Sequence, residues 1–153
     1  MKTAESLEFV RTRDFNLIPA YLFNQFKDLK CDPKDLYFWG KAAAEQPLTL
    51  LYVAINDKHK IKGFMWASLD VLEKCVHIKA MTIDKDYQGG NILKKAYGKI
   101  KEEIDSFNKR ATPEQQINNK IKFHTTRPNA FEKQGKELGW KISRQAIMEI
   151  ELE

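Results

Sequence analysis

The sequence predicts an α+β fold, with a mixed but mostly antiparallel central sheet of about 6 strands flanked by about 4 helices. Three observations predict it. Val76 to Ile83 is an apolar strand that runs through the acidic, aromatic turn Asp84–Tyr87 into Gln88, Gly89 and Gly90. From there Leu93, Tyr97, Ile100, Ile104 and Phe107 step by four or three, which is one face of a long α-helix. Ahead of that strand, two more apolar runs separated by a polar turn complete an antiparallel meander.

The elements follow in order. Ser6 to Thr12 reads as a first strand, with Leu7, Phe9 and Arg11 on one face and Glu8, Val10 and Thr12 on the other. Asp14 can cap a helix carried by Phe15, Ile18, Leu22, Phe26 and Leu29, with Pro19 marking an early turn or kink. Cys31-Asp32-Pro33 is a break, with Asp32 capping and Pro33 at the first position of a second helix, Lys34 to Glu45. Pro47 ends it. Leu48 to Ile55 is a buried central strand, Asn56 to Lys60 a turn, and Ile61 to Leu69 the returning strand. After the glycine turn and its helix, Ser106 to Lys120 reads as a polar loop of about 15 residues, long enough to suggest function or mobility. Lys120 to Thr125 is a strand, and Ala130 to Leu138 a short helix with Gly139 as its C-cap. Trp140 to Leu152 supplies a final strand.

The 153 residues suit one domain, 1–153, and 42% hydrophobic content with 11% aromatics places the chain among globular proteins. No apolar run approaches the roughly 20 residues of a membrane span. The polar N-terminus lacks an apolar signal core, so a cytoplasmic protein with no membrane partner is expected. Cys31 and Cys75 stand apart and read as reduced, buried thiols. With only three scattered histidines beside them no metal-ligand spacing is visible, and no zinc site is expected. The net charge of +5 comes mostly from dispersed lysine, which reads as a solvated surface and weighs against a nucleic-acid footprint.

A strand feeding a glycine turn at a helix start is suited to an anion, because the first amides of a helix lack intrahelical acceptors and the dipole adds positive charge there. Tyr87-Gln88-Gly89-Gly90-Asn91-Ile92 resembles the Tyr-Arg/Gln-Gly-x-Gly turn of the GNAT acyltransferases. The element order resembles theirs from about Leu7 to Leu152, as does the helix ending in Gly139-Trp140. The resemblance implies a GNAT-like domain using acetyl-CoA as cosubstrate. The turn at Gln88, with the amides of Gly89, Gly90, Asn91, Ile92 and Leu93, would cradle the coenzyme A pyrophosphate. The backbone of Met81, Thr82 and Ile83 would pair with the pantetheine arm. The thioester would lie where that strand splays from Lys122–Thr125, with the first two helices walling the acceptor side. The sequence departs from the family in two places. Asn91 replaces the second glycine, a tolerable exchange because asparagine accepts positive φ. Gly135 stands where many members carry the tyrosine that protonates the leaving thiolate.

Aminolysis of a thioester needs an amine freed of its proton, a polarised carbonyl and a protonated leaving sulfur. Histidine suits the first task, which singles out His77 and His124; Thr125 is a candidate hydrogen-bond donor near the sulfur. His59 reads as solvated. Asp70 and Glu73 read as a solvated loop or as contacts for a cationic acceptor. Tyr37, Phe38 and Trp39 read as core residues before a ligand cage, Trp66 and Trp140 as core, and Arg127 as a surface or phosphate-contacting residue. The leading function is transfer of acetyl from acetyl-CoA to an amine, on a small-molecule or protein acceptor, by a monomer or homodimer. Two alternatives stand beside it: a catalytically degenerate GNAT-like module that engages a protein partner, and a nucleic-acid-associated GNAT-like protein of the type some phages encode.

Overall fold

The computed structural model describes residues 6–24, 32–87, 90–125, 129, 132–133, 138–143 and 147–152. Contacts divide the chain into two units, Met1–Phe123 and His124–Glu153.

The first unit is built on one sheet. Its strands are β1 (Glu8–Arg11), β2 (Thr49–Ile55), β3 (Ile61–Asp70), β4 (Cys75–Ile83) and β5 (Ile121–Lys122), in that spatial order. The first four pair antiparallel and β5 lies parallel to β4. The helices are α1 (Ala20–Phe23), α2 (Pro33–Ala44) and α3 (Gly90–Arg110). The fold class is therefore the expected α+β class, with five strands and three α-helices among the described residues.

The sheet is covered on both faces, which explains why its central strand is apolar throughout. In β2, Leu50, Tyr52 and Ala54 turn toward Ala96, Ile100 and Ile104 of α3. The alternate residues Leu51 and Val53 pack with Phe15, Ile18, Leu22, Phe23 and Leu36 on the other side. Complete burial of one such side chain contributes about 1.5–3 kcal/mol, so these two layers hold the unit together.

Local signals explain the helix ends. Asp32 accepts the Lys34 amide at 2.9 Å and Pro33 opens α2, as its sequence position implies. The expected Phe15–Leu29 helix is split. A 3₁₀ turn covers Phe15–Leu17, and Ile18 is extended (φ −77°, ψ 121°) before Pro19. The residue before proline is driven out of the helical region, so α1 starts only at Ala20. Phe26, Leu29 and Cys31 lie outside the described residues.

Arg11 keeps to the Leu7–Phe9 side of β1, where its guanidinium, hydrated at the rim, pairs with Glu103 of α3 at 2.7 Å and donates to the Thr49 carbonyl. Other expectations need correction. The Ser106–Lys120 stretch is no long open loop. Helix α3 runs to Arg110, a 3₁₀ turn covers Pro113–Gln115, and Ile117 is buried. Asn108 closes the return with two bonds to Ile117, donating to its carbonyl (2.8 Å) and accepting its amide (2.7 Å). The Lys120–Thr125 strand shrinks to the two residues of β5, because its ladder with β4 stops after His77–Lys122. Phe38 and Trp39 are 64% and 63% exposed rather than core, since α2 buries Leu36, Gly40 and Ala44 instead.

In the second unit, Gly139 has φ +83°, the left-handed conformation expected of a helix C-cap. Trp140 is half-buried. No strand forms among residues 140–143 and 147–152, although the sequence alternates there. Ile147, Met148, Ile150 and Leu152 are 70–93% exposed. Alternation creates a strand only where a ladder partner is supplied, and these residues have no ladder.

Gly40 and Gly98 give opposite expectations. A Cβ at Gly40 would sit 2.2 Å from the buried Phe15 ring, whereas one at Gly98 meets nothing within 4 Å. Gly40→Ala should destabilise by about 1–3 kcal/mol through overpacking, and Gly98→Ala should stabilise by about 0.5–1 kcal/mol through helix propensity. Urea denaturation midpoints of the two variants check the signs.

Candidate active site

Strand β4 carries the candidates His77, Met81, Thr82 and Ile83, and a bulge decides which way they face. Trp66 of β3 pairs with Ala80, but Ala67 pairs with Ile78, so Lys79 is an extra residue without a partner on β3. Before the bulge, Val76 and Ile78 belong to the α3 side, which puts Cys75 and His77 on the opposite face. After it the parity reverses. Met81 and Ile83 join the α3 side, and Ala80 packs with the α1–α2 cluster. His77 and the buried Thr82 therefore share one face, which a regular strand would not allow.

At the far end of β4 the chain turns into α3. Asp84 donates its amide to the Lys62 carbonyl at 2.7 Å, and the Asp84 carbonyl accepts from Tyr87 at 2.8 Å. Side chains fasten the turn on both flanks. Tyr21 of α1 donates to Asp84 Oδ2 at 3.0 Å, and Asn56 of the β2–β3 hairpin donates to the Tyr87 hydroxyl at 3.3 Å. Asn56 is buried and also accepts the Lys58 and Lys60 amides. Burial first, then the hydrogen bond to Asp84, push the Tyr21 hydroxyl from 10.0 up to about 12.

The sequence-derived cofactor residues fall as follows. Met81, Thr82 and Ile83 end β4, paired with Met65, Phe64 and Gly63. Gly63 leaves room for that pairing, since a Cβ there would lie 2.6 Å from Ile83 and 2.8 Å from the Thr82 carbonyl. Gln88 and Gly89 lie outside the described residues. Gly90, Asn91, Ile92 and Leu93 form the first turn of α3, which contains no acidic residue and is followed by Lys94 and Lys95. Helices ordinarily favour Asp or Glu in this turn to answer the dipole. Without them, the amides and positive dipole end suit an external anion such as a pyrophosphate.

His77 lies roughly 20 Å back along the strand from Ile83, at about 3.3 Å per residue. Its side chain is 12% exposed, and Nε2 lies 2.6 Å from Glu73 Oε2 and 3.5 Å from Asp70 Oδ2. Asp70 also shapes the β3–β4 connection, where Oδ1 accepts the amides of Leu72 and Glu73. Lys122 approaches Glu73 at 3.5 Å. The His77 hydrogen bond, more than the Lys122 charge, holds Glu73 below the usual carboxylate range. The backbone amides of Glu73 and Leu72 do the same for Asp70. Glu73 is then acceptor-only, so the hydrogen of this bond sits on Nε2.

His124 is exposed and Thr125 half-buried, both beyond β5 and in no strand. His59 is exposed at the hairpin. Gly135 and Arg127 lie outside the described residues. Sequence reasoning missed the grouping of Glu73, Cys75, His77 and Lys122. The signal was present only for Cys75 and His77, which are spaced by two on one face of β4; Glu73 joins them through the turn before the strand.

No protein-family model matches the chain, and no curated protein matches it in sequence. Solved structures do match. A possible acetyltransferase from Clostridium difficile 630 aligns with TM-score 0.69 and 17% identity, over 97% of this chain and 99% of that one. Aminoglycoside 6′-N-acetyltransferase AAC(6′)-Ih from Acinetobacter baumannii aligns with TM-score 0.64 and 10% identity, over 96% and 99%. AAC(6′)-Iy, in complex with the bisubstrate analog CoA-S-monomethyl-acetylneamine, aligns with TM-score 0.66 and 13% identity, over 96% and 99%. The chain has the GNAT fold that its sequence resembles.

The Tyr21–Asp84 tether has a pH signature. A hydroxyl raised on folding contributes its stability in full below the unfolded value of 10.0 and loses it as pH rises through about 12. Wild type should lose stability relative to Tyr21→Phe across that window in urea denaturation. Tyr52, also raised by burial, is common to both proteins and cancels in the difference.

Proposed function

We propose that the chain, 1–153, is an acyl-CoA-dependent N-acyltransferase domain that transfers acetyl from acetyl-CoA to an amine. The observation that carries this reading is the acid-free first turn of α3, set by the fastened Asp84–Tyr87 turn directly after β4 within a GNAT fold. One structural neighbour was solved with a CoA-containing bisubstrate analog on the same fold. Bound here, acetyl-CoA would supply an activated thioester.

The amides of Gly90, Asn91, Ile92 and Leu93 hold the pyrophosphate. The backbone of Met81, Thr82 and Ile83 orients the pantetheine arm as an added strand would be oriented. His77, its ring fixed by Glu73 at Nε2, takes the proton from the incoming ammonium. Asp70 and Glu73 also favour a cationic acceptor at this end of β4. Gly135 offers no proton for the departing sulfur. Among the catalytic candidates His77 is better supported than His124 or Thr125, since it is nearly buried and held by a carboxylate. The acceptor is an amine on a small molecule or protein.

Calorimetry with acetyl-CoA should show binding to wild type, and Asn91→Asp, which places a carboxylate in the first turn, should weaken it about tenfold. His77→Gln should leave that affinity unchanged and lower kcat on an accepted amine by about 10²–10⁴. No binding at millimolar acetyl-CoA would remove the reading. Binding with no turnover across a broad amine panel would favour a non-catalytic module, to which the exposed Phe38–Trp39 pair offers a contact surface.

A further inference from the structure

The β3–β4 connection brings three different metal-ligating side chains together. One donor atom from each of Glu73, Cys75 and His77 lies within 4.8 Å of the other two. Cys75 and His77 share one face of β4, and the turn that precedes the strand brings Glu73 alongside them. Exposed carboxylates gather on many surfaces without a ligand, but Cys75 is a different kind of observation. Its side chain is fully buried, faces the cluster, and has no hydrogen-bond partner among the described residues. A thiol that only filled core volume would be surrounded by apolar groups. This one lies beside a carboxylate and an imidazole.

We propose that Glu73, Cys75 and His77 bind a zinc ion through a carboxylate oxygen, Sγ and one imidazole nitrogen. The donor set of one thiolate, one imidazole and one carboxylate is borderline-soft and suits Zn²⁺ better than Mg²⁺ or Ca²⁺, which take oxygen ligands. On binding, Sγ–H gives its proton to solvent and the S–H bond is replaced by S–Zn. Glu73 enters as the carboxylate it already is, and the ring enters neutral. Charge closes locally. The Cys75 thiolate, Glu73 and Asp70 carry three negative charges, matched by the dication and Lys122, whose ammonium lies 3.5 Å from Glu73. Asp70 Oδ2, 3.5 Å from His77 Nε2, sits just outside the trio as a further negative charge beside the ring. Three protein ligands leave the fourth tetrahedral position to water. The zinc site does not depend on the acyl-transfer reading.

Cobalt(II) titration of the reduced full chain, without coenzyme, tests it. Wild type should develop a thiolate-to-cobalt absorption that saturates near about one equivalent and is displaced by zinc. Cys75→Ser should abolish the band. Glu73→Gln, on an exposed side chain whose change leaves the fold intact by circular dichroism, and His77→Gln should each weaken binding more than about tenfold, as should Asp70→Asn to a smaller degree. Absence of the band in wild type, its survival in Cys75→Ser, or wild-type affinity in both Glu73→Gln and His77→Gln would each overturn the proposal. Acetyl-CoA calorimetry on the same preparation reads the acyl-transfer proposal separately, so neither failure is mistaken for the other.

Discussion

The extra residue at Lys79 is the constraint on which the arrangement of β4 depends. A strand buried on both faces has little freedom of register, because a slip by one residue exchanges its entire core set for the opposite set. Here the exchange occurs once, inside the strand. Val76 and Ile78 serve the α3 layer, and beyond the bulge Met81 and Ile83 serve it again. Both halves stay packed, and the cost is one exposed lysine without a β3 partner. The gain is that His77 and Thr82 share the face turned away from α3. Were Lys79 paired in a regular ladder instead of bulged, either His77 or Met81 would change sides, which would put an imidazole into the α3 layer or a thioether out of it.

The second constraint is rigidity at the turn into α3. A helix start can attract an anion wherever it lies, but it holds one well only if its position is fixed. Two layers of the first unit contribute. Tyr21 comes from α1, and Asn56 from the β2–β3 hairpin. Asn56 is buried, and its carbonyl oxygen is occupied by the hairpin amides, so its amide nitrogen is held toward Tyr87. The helical face and the strand meander thus converge on one turn, although neither Tyr21 nor Asn56 would contact a phosphate.

What was legible in the sequence follows the range of the forces involved. The caps at Asp32 and Pro33, the α3 stripe through Ile100 and Ile104, and the hairpin at Asn56–Lys60 rest on neighbours within a few residues, and they were read closely. The Lys79 bulge has no local mark, since its apolar residues read as one continuous run. The 106–120 stretch looked like an open loop because it is polar. Its order comes from Asn108 and Ile117, which meet only after the chain has turned. Phe38 and Trp39 misled in the opposite sense: hydrophobic identity suggested core, while the helix phase set by Leu36, Gly40 and Ala44 points them outward. At the C-terminus, alternation over Ile147–Leu152 was read as a strand, but pairing is a property of two segments and cannot be read from one.

His77 links the two proposals, and they make opposing demands on it. As a general base it needs a neutral ring with a lone pair directed at an amine. As a zinc ligand it gives a lone pair to the metal. The two states cannot coexist on one nitrogen, and Glu73 is shared in the same way, as the ring's hydrogen-bond acceptor or as a metal ligand. Cys75 distinguishes them. Base catalysis by His77 and Glu73 has no use for a buried thiol beside them, whereas a zinc site requires it. If both chemistries operate, zinc competes with catalysis for the same imidazole, and the cluster at the β3–β4 connection becomes an inhibitory site. If only the transferase operates, Cys75 is replaceable by another small side chain without effect on turnover. The role of the thiol, more than that of the histidine, therefore separates a catalytic dyad from a metal centre.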